Sequence, residues 1–259
     1  MYALTKREAA MLDLEVIGQG ATTKIYRDGS TAIKLYLNAP HDEAENEAVR
    51  QKFAHDAGLP VPAVYGVRRL DENTVTLEME FIDGQPILRQ GMDKDERTAA
   101  MEALVRLQRD IHKVEAGSLP RQADMIKWKI NNTKHLEAAE KSRLAALTDE
   151  MSDGESRLCH GDLHPLNILY DGKKYWIIDW VDAAAGSPLA DACRTYIIFK
   201  QYIGRMAGKY LKIFCKEAGV SQNDVLAWLP VVAAARLNEN MDDKTRAFLL
   251  DMIVEWRNG

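Results

Sequence analysis

Residues 158–182 read LCHGDLHPLNILYDGKKYWIIDWVD, and this segment is the most informative part of the 259-residue sequence. It contains His160-Gly161-Asp162 and, five residues after the aspartate, Asn167. The dipeptide Asp171-Gly172 predicts a hairpin turn, and the apolar run after it predicts a strand that ends near Asp179. Such a hairpin would bring the side chains of Asn167 and Asp179 together.

These residue types suit phosphoryl transfer to a hydroxyl group. That reaction needs a carboxylate to orient the hydroxyl and accept its proton, together with hard oxygen ligands for Mg²⁺. Asp162 can supply the carboxylate, and Asn167 and Asp179 can supply the ligands. The alternative is an acidic, histidine-containing loop that only caps helices. Five matched positions between strand signals favour the functional interpretation.

The segment resembles the catalytic and metal-binding loops of the aminoglycoside phosphotransferase and choline kinase superfamily, whose members are relatives of the protein kinases. That superfamily has the patterns H-G-D-x-H-x-x-N and I-D-[WF], and every polar position of both is present here. The resemblance implies that Asp162 is the catalytic base, that Asn167 and Asp179 bind Mg²⁺, and that His160 braces the loop. His164 could contact phosphate or metal, or make a structural hydrogen bond. Asp182 could support the site or face solvent, and we expect it to face solvent.

The resemblance also implies a protein-kinase-like α+β fold with two lobes: a small β-rich N-lobe with one main helix and a larger, mostly α C-lobe. Strand signals dominate up to residue 82, and helical patterns at 94–115, 122–150, 188–218, 221–237 and 242–257 dominate later. We therefore predict a nucleotide-binding N-lobe at 1–82, a hinge at 83–86, and a catalytic and acceptor-binding C-lobe at 87–259, with a cleft between the lobes.

Nucleotide-binding residues are predicted along the N-terminal third. Thr31–Leu35 is similar to the V-A-I-K strand of kinases, whose lysine, here Lys34, reaches the α- and β-phosphates. The loop before it would cover the phosphates with its backbone N–H groups. Its candidate residues are Gly18, Gly20, Thr22 and Thr23. The third glycine of G-x-G-x-x-G is absent, since Thr23 stands at that position.

Two further patterns complete the predicted site. The helix expected at 42–57 offers Glu47 as the partner of Lys34, with Glu43 one turn away as the second choice. The strand at 74–81 should bury one face only, and its end resembles the family's hinge, where the Glu80 carbonyl and the Ile82 amide would pair with the base of the nucleotide. Asp191, in a G-[DS]-P-x-x-D-like run, would brace the catalytic loop.

Charge and cysteine content narrow the functional class. The net charge is −5; residues 1–85 hold 9 basic and 14 acidic residues, whereas residues 86–259 hold 25 of each. The absence of a basic cluster argues against nucleic acid or an anionic membrane as a partner. Three scattered cysteines and the lack of a long apolar run are typical of a cytoplasmic protein. The oligomeric state cannot be predicted.

The predicted function is transfer of the γ-phosphate of ATP, or GTP, to a hydroxyl of a small molecule with Mg²⁺ as the metal. Choline, a sugar, an amino sugar and an aminoglycoside-like acceptor all stay open. Balanced charge after residue 86 argues against a polycationic acceptor, and Tyr202, Trp228 and Trp256 could cage a quaternary amine or simply pack. The alternatives are a Ser/Thr protein kinase and a nucleotide-binding regulator without turnover.

Overall fold

The computed structural model describes residues 14–19, 23–37, 42–71, 74–152 and 154–258. The chain forms two compact units. Unit 1 consists of Met1–Ile87 with Leu166–Val181, and unit 2 of Leu88–Pro165 with Asp182–Gly259. The predicted α+β class is confirmed, because a five-stranded antiparallel sheet lies in the N-terminal part and the C-terminal part is mostly helical. The lobe boundaries at 82 and 86 stay a prediction.

The strands in the described part of the chain are β1 (Glu15–Gln19), β2 (Thr23–Asp28), β3 (Thr31–Leu37), β4 (Val64–Arg69), β5 (Thr74–Glu80), β6 (Gln85–Pro86), β7 (Arg157–Cys159), β8 (Ile168–Tyr170), β9 (Tyr175–Ile177) and β10 (Ala184–Gly186). The main sheet has the order β1-β2-β3-β5-β4, and all its neighbours are antiparallel. Asp28-Gly29 forms the predicted turn, in which Gly29 adopts the left-handed φ of 58°.

The helices in the same stretches are α1 (Glu43–Asp56), α2 (Lys94–His112), α3 (Gln122–Asn132), α4 (Ala138–Met151), α5 (Pro188–Tyr202), α6 (Gly204–Ala218), α7 (Gln222–Leu226), α8 (Leu229–Arg236) and α9 (Asp243–Asn258). The stretches at 122–150, 188–218 and 221–237, predicted to be helical, each contain two helices. Nowhere in the described chain is a helix both long and apolar enough to cross a bilayer.

The core of unit 1 forms on the face of β3 that carries Ala32 and Tyr36, which pack against β5 and Ala44 of α1. Leu35 points to the opposite face and packs against Tyr26. The half-buried character predicted for β5 is wrong at Thr74 and Thr76, whose side chains are also buried. β5 lies between β3 and β4, and the Thr76 hydroxyl donates to the Arg68 carbonyl, so Thr76 tolerates burial.

A second, three-stranded sheet with the order β6-β8-β9 belongs to unit 1. Its hairpin turns at Asp171-Gly172, where the Asp171 carboxylate accepts bonds from the Lys173 and Lys174 amides. The Ile177 amide donates to the Pro60 carbonyl and thereby ties β9 to unit 1. The hairpin therefore carries Asn167 and Asp179 into the unit that contains Lys34.

Unit 2 is built around α5, which packs against α6 and α8. Helix α5 begins with Ser187 as its cap, whose hydroxyl accepts from the Leu189 amide, and Pro188 occupies the first turn. The rings of Phe199 and Tyr210 stack between α5 and α6, with their centroids 5.3 Å apart. The short strands β7 and β10 pair antiparallel and flank the loop that contains Asp162.

Candidate active site

Lys34 lies at the centre of a buried cluster in unit 1. Its ammonium donates to both carboxylate oxygens of Glu47, at 2.9 and 2.8 Å, and to Oδ1 of Asp179 at 2.9 Å. The Tyr36 hydroxyl also donates to Glu47. We call Lys34, Tyr36, Glu47 and Asp179 the lysine cluster. Of the two glutamates considered for Lys34, Glu47 makes the contact.

Local structure explains how these side chains meet. Lys34 and Tyr36 are two residues apart on β3 and share one face of the sheet. Glu47 lies on the face of α1 that packs against β4 and β5, and only 1% of the residue is exposed. Asp179 has φ of 65° and is the one non-glycine residue with positive φ in the described chain. Such a conformation is uncommon and is concentrated at functional sites.

The cluster keeps the lysine charged. Burial alone would lower the pKa of Lys34, but the carboxylates of Glu47 and Asp179 outweigh burial and raise that pKa above its ordinary value. A permanently protonated ammonium with three donors is suited to binding anionic oxygen atoms.

A cavity of about 880 Å³ opens beside the lysine cluster, entirely within unit 1. Its volume falls in the range of small-molecule sites. Residues predicted to bind nucleotide contribute to its wall: Gly18, Thr23, Lys34, Glu47, Glu80 and Ile82. Its apolar wall includes Ile17, Ala32, Met79, Leu169 and Ile178. Gly20 and Thr22, which were also predicted to contact phosphate, lie outside the described residues.

Asn167 and Asp179 line the same cavity, and their oxygen atoms fit Mg²⁺. The Ile178 amide donates to the Asn167 carbonyl at 3.0 Å, so the backbone holds the two segments side by side. The Asp179 side chain is 42% exposed although it contacts Lys34. A carboxylate and an amide oxygen are the hard ligands that Mg²⁺ prefers, usually with water and phosphate oxygens completing the shell.

The loop with Asp162 belongs to unit 2, and Gly161 shapes it. Gly161 has φ of 80°, and a Cβ there would lie 2.3 Å from the Asp182 carbonyl oxygen. The arginine of the protein-kinase H-R-D pattern is therefore excluded at this position on steric grounds. The Asp162 amide donates to Nδ1 of the buried His160, and His164 Nε2 lies 3.5 Å from the Asp162 carboxylate.

Arg194, which the sequence patterns did not single out, contacts Asp162. Its Nη2 donates to Asp162 Oδ1 at 2.9 Å. Burial would raise the pKa of Asp162, but the Arg194 guanidinium and His164 outweigh it and hold the pKa well below its ordinary value. Asp162 is therefore ionised at neutral pH, as a proton acceptor must be.

Asp191 links the start of the loop to a buried polar network. Its Oδ1 accepts from the Gly161 amide at 2.7 Å, and its Oδ2 accepts from His112 Nε2 at 2.8 Å and Gln108 Nε2 at 3.1 Å. Gln108 in turn accepts a bond from the Tyr210 hydroxyl. The side chains of this network belong to Asp191, His112, Gln108 and Tyr210, and only Asp191 among them was singled out from sequence.

Two expectations outside the motif can be compared with the structure. The expectation that Asp182 faces solvent is wrong: its carboxylate lies 2.8 Å from Lys129 Nζ and 3.5 Å from Arg194 Nη2, so ion pairs draw it inward. Trp228 is buried and packs, whereas Tyr202 is 70% exposed and Trp256 is 41% exposed. Trp228 therefore does not present its ring to a ligand.

Comparisons with known proteins give the family. The model of the phosphotransferase enzyme family matches residues 13–226. No curated protein matches the sequence.

Solved structures share the fold at low identity. An aminoglycoside-3'-phosphotransferase of type VIII is 19% identical with a TM-score of 0.63, and the match covers 86% of this chain and 93% of that one. A thermostable mutant of aminoglycoside phosphotransferase APH(4)-Ia, in a ternary complex with ADP and hygromycin B, is 15% identical with a TM-score of 0.69, and the match covers 94% of this chain and 92% of that one. Choline kinase LicA from Streptococcus pneumoniae is 13% identical with a TM-score of 0.68, and the match covers 96% of this chain and 97% of that one.

The predicted kinase-like fold and the resemblance to aminoglycoside phosphotransferases and choline kinases are therefore both confirmed. The family match covers most of the chain and includes Lys34, the loop with Asp162, and Asp191. The chain belongs to the phosphotransferase enzyme family.

Proposed function

We propose that this protein is a small-molecule kinase that transfers the γ-phosphate of ATP or GTP to a hydroxyl group. The lysine cluster is the observation that supports this most strongly. A protonated lysine, held by a buried glutamate and by a partly exposed aspartate, lies in the wall of a cavity of nucleotide size. Similar folds have been solved with ADP, AMP-PNP and AMP.

Unit 1 would bind the nucleotide. The apolar wall of its cavity suits a planar base, and the backbone at Glu80 and Ile82 would pair with that base. Gly18 and Thr23, with Gly20 and Thr22 of the same loop, would cover the phosphates. Lys34, oriented by Glu47, would contact the α- and β-phosphates, where its charge offsets theirs.

Asn167 and Asp179 would hold Mg²⁺, which when bound offsets negative charge on the phosphate oxygens. Asp179 also accepts a bond from Lys34 Nζ, so one carboxylate serves both the lysine and the metal site. His160 and Asp191 would support the loop that carries Asp162.

Asp162 would act on the acceptor. Its ionised carboxylate orients the hydroxyl group and accepts the proton as the hydroxyl oxygen bonds to the γ-phosphorus. The bond between that phosphorus and the β–γ bridging oxygen breaks, and the nucleoside diphosphate leaves with the bond's electron pair. Positioning and charge neutralisation account for most of the acceleration in such reactions.

The acceptor would be a small hydroxylated molecule. Choline, a sugar, an amino sugar and an aminoglycoside-like compound share the required group. The acids around Asp162 argue against a strongly polycationic acceptor, because Asp162, Asp182 and Glu239 are already paired with cationic side chains. A location in the cytoplasm, where nucleoside triphosphates are abundant, is part of the same proposal.

One experiment tests this function. The purified protein is assayed for ADP release with a panel of cholines, sugars, amino sugars and aminoglycosides, and for Mg²⁺-dependent thermal stabilisation by ATP and GTP. Asp162→Asn should lower turnover by about 100- to 10,000-fold while nucleotide still stabilises the protein. Asp179→Ala should lose the Mg²⁺-dependent stabilisation as well. Asp95→Asn, on an exposed helix end, is the matched control.

Two results would contradict the proposal. One is the absence of Mg²⁺-dependent nucleotide stabilisation in the unmodified protein, and the other is undiminished turnover in Asp162→Asn. Stabilisation by nucleotide without turnover on any acceptor, or on water, would instead favour a nucleotide-binding regulator.

A further inference from the structure

Helix α5 contacts three consecutive residues of the loop around Asp162. Oδ1 of Asp191 accepts from the Gly161 amide at 2.7 Å. Arg194 donates to the Asp162 carboxylate at 2.9 Å. The Thr195 hydroxyl donates to the Leu163 carbonyl at 2.8 Å. Positions i, i+3 and i+4 share one face of a helix, so a single face holds the loop at each successive residue.

The contact from Arg194 differs from its two neighbours because it reaches a side chain. Asp191 and Thr195 hold backbone atoms, which fixes the path of the loop. Arg194 holds a carboxylate oxygen, which fixes the rotation of the one side chain proposed to meet the acceptor. A planar guanidinium restricts its partner's orientation more than an ammonium does.

Arg194 is itself held from two other directions. Glu239 Oε1 lies 2.5 Å from Nη1 of Arg194, and Asp182 Oδ2 lies 3.5 Å from Nη2. Those acids have further partners, since Lys129 Nζ lies 2.8 Å from Asp182 and Arg236 Nε lies 3.3 Å from Glu239. Including Asp162, six residues form this group, and we call it the arginine cluster: Arg194, Lys129, Arg236, Asp162, Asp182 and Glu239.

The charges of the arginine cluster balance, with three cationic and three anionic side chains. The Arg194 side chain is 13% exposed, so its interaction with Asp162 is weakly screened by solvent. The Arg194 guanidinium contacts both Asp162 and Asp182. If it were removed, the two carboxylates would lose this shared cation, and burial would favour protonation of one of them.

We infer that Arg194 is a positioning residue for Asp162, which orients the carboxylate and keeps it ionised for proton acceptance. This inference rests on the proposed function, in which Asp162 is the base. It assigns a role to a residue outside the H-G-D and I-D patterns, through a contact made by a helix 32 residues later in the chain.

The test uses water as the acceptor, because hydrolysis of MgATP needs no identified substrate. The full chain is compared with Arg194→Met, Arg194→Lys, Asp162→Asn and Arg205→Met, the last an exposed arginine on α6. Arg194→Met should lower kcat for hydrolysis by about 100-fold, the cost of a misplaced catalytic group. Arg194→Lys should recover part of that loss. The KM for ATP should change by less than about twofold, since nucleotide binding is assigned to unit 1.

The pH profile separates positioning from general support of the fold. Loss of Arg194 should raise the pKa of Asp162, so the acid limb of kcat should move to higher pH in Arg194→Met and less in Arg194→Lys. His160 and His164 on the loop, Asp182, Glu239, Lys129 and Arg236 also face this group. The substitution leaves all six of these side chains in place, and of the carboxylates that lose the guanidinium only Asp162 is assigned the proton of the acceptor, so a shift of the acid limb reports Asp162.

The outcomes distinguish the inference from the function it rests on. Normal hydrolysis in Asp162→Asn would reject the base and thereby the proposed function. Loss of hydrolysis in Asp162→Asn with an unaltered rate and acid limb in folded Arg194→Met would overturn the inference alone.

A second measurement does not depend on activity. Unfolding by urea is followed for Arg194→Met, Asp162→Asn and the double variant. If the two side chains act as a pair, the double variant should lose less stability than the sum of the single losses. Strict additivity would overturn the inference. If Arg194→Met does not fold, Arg194→Lys takes its place in both measurements, because it keeps the charge and removes the planar fork.

Discussion

Lys34 in unit 1 is buried and the Arg194 side chain in unit 2 is 13% exposed, and both cations lie among carboxylates, but the two clusters leave different groups accessible. Lys34 is held by two acids, and one of them, Asp179, is 42% exposed beside a cavity. Arg194 is held by three acids, each of which is about one-quarter exposed. An ammonium on a flexible stem accommodates changing partners, whereas a planar guanidinium fixes the geometry of the partners it has. The lysine cluster is thus suited to ligand binding and the arginine cluster to orientation.

Of the substitutions that compare the two clusters, Glu47→Gln should have the largest effect on turnover. The amide keeps the volume of the side chain but removes one of the two charges that hold Lys34, so the lysine is drawn to Asp179 alone and loses its central position. Turnover should fall by about 100-fold, and the KM for ATP should rise. Steady-state kinetics over a range of ATP concentrations measures both quantities.

Glu43→Gln is the matched control for this change, because Glu43 lies one turn earlier on α1 and does not share the buried position of Glu47. Its turnover should stay within about twofold of the unmodified protein. Equal effects of the two substitutions would remove the special status of Glu47 and weaken the contrast between the clusters.

The sequence predicts the two clusters to different degrees, for a physical reason. Lys34 and Glu47 occupy regular elements whose spacing and family pattern are visible locally, and Asp179 follows a recognisable hairpin. Arg194 occurs on a helix, where an arginine is usually exposed, and its acidic partners are distant in the chain. Nothing local indicates that Asp182 lies beside Lys129, 53 residues away.

The fold, like the site, is predictable from the sequence only where it depends on local patterns. Hairpin turns at Asp28-Gly29 and Asp171-Gly172 follow from turn chemistry, and both form where predicted. Residues 166–181 belong to the same unit as the N-terminal sheet. This grouping depends on tertiary contacts, such as the hydrogen bond from the Ile177 amide to the Pro60 carbonyl. Burial of Thr74 and Thr76 likewise depends on which strands flank β5. Local patterns carry no information on either point.

Asp191→Asn tests how much the bond from Asp191 to the Gly161 backbone amide, as distinct from the contact of Arg194 with the Asp162 side chain, contributes to stability. The substitution weakens bonds to Gly161, His112 and Gln108 in a fully buried site, so the free energy of unfolding should fall by about 2–4 kcal/mol at neutral pH. Urea denaturation measures this loss. Asp110→Asn, whose partner Lys113 is exposed, is the control and should cost less than about 0.5 kcal/mol.

The effect of Asp191→Asn should also depend on pH. Burial acts to raise the pKa of Asp191, but His112 and the Gly161 amide outweigh it and hold the pKa below the ordinary 3.8. The ionised carboxylate therefore stabilises the fold above pH 3.8, and this contribution is lost as pH falls through the folded-state pKa. The difference between Asp191→Asn and the unmodified protein should shrink below about pH 4. A difference that grows on acidification would contradict the assignment.

Tyr36→Phe should have the smallest effect, and it tests what the tyrosine contributes to holding Glu47 in the lysine cluster. The substitution removes one donor to Glu47 and leaves both bonds from Lys34, so Glu47 stays in place with one partner fewer. The free energy of unfolding should fall by about 1.5 kcal/mol, the usual contribution of a hydrogen bond to a charged group. Turnover should fall by less than about tenfold, because a loss of about 1.5 kcal/mol that acted entirely on the activation free energy would lower the rate by about that factor. Tyr26→Phe, a buried tyrosine on the opposite face of the sheet, controls for loss of a phenolic hydroxyl in general. A Tyr36→Phe variant as inactive as Glu47→Gln would mean that the tyrosine, and not the lysine, holds the glutamate in place.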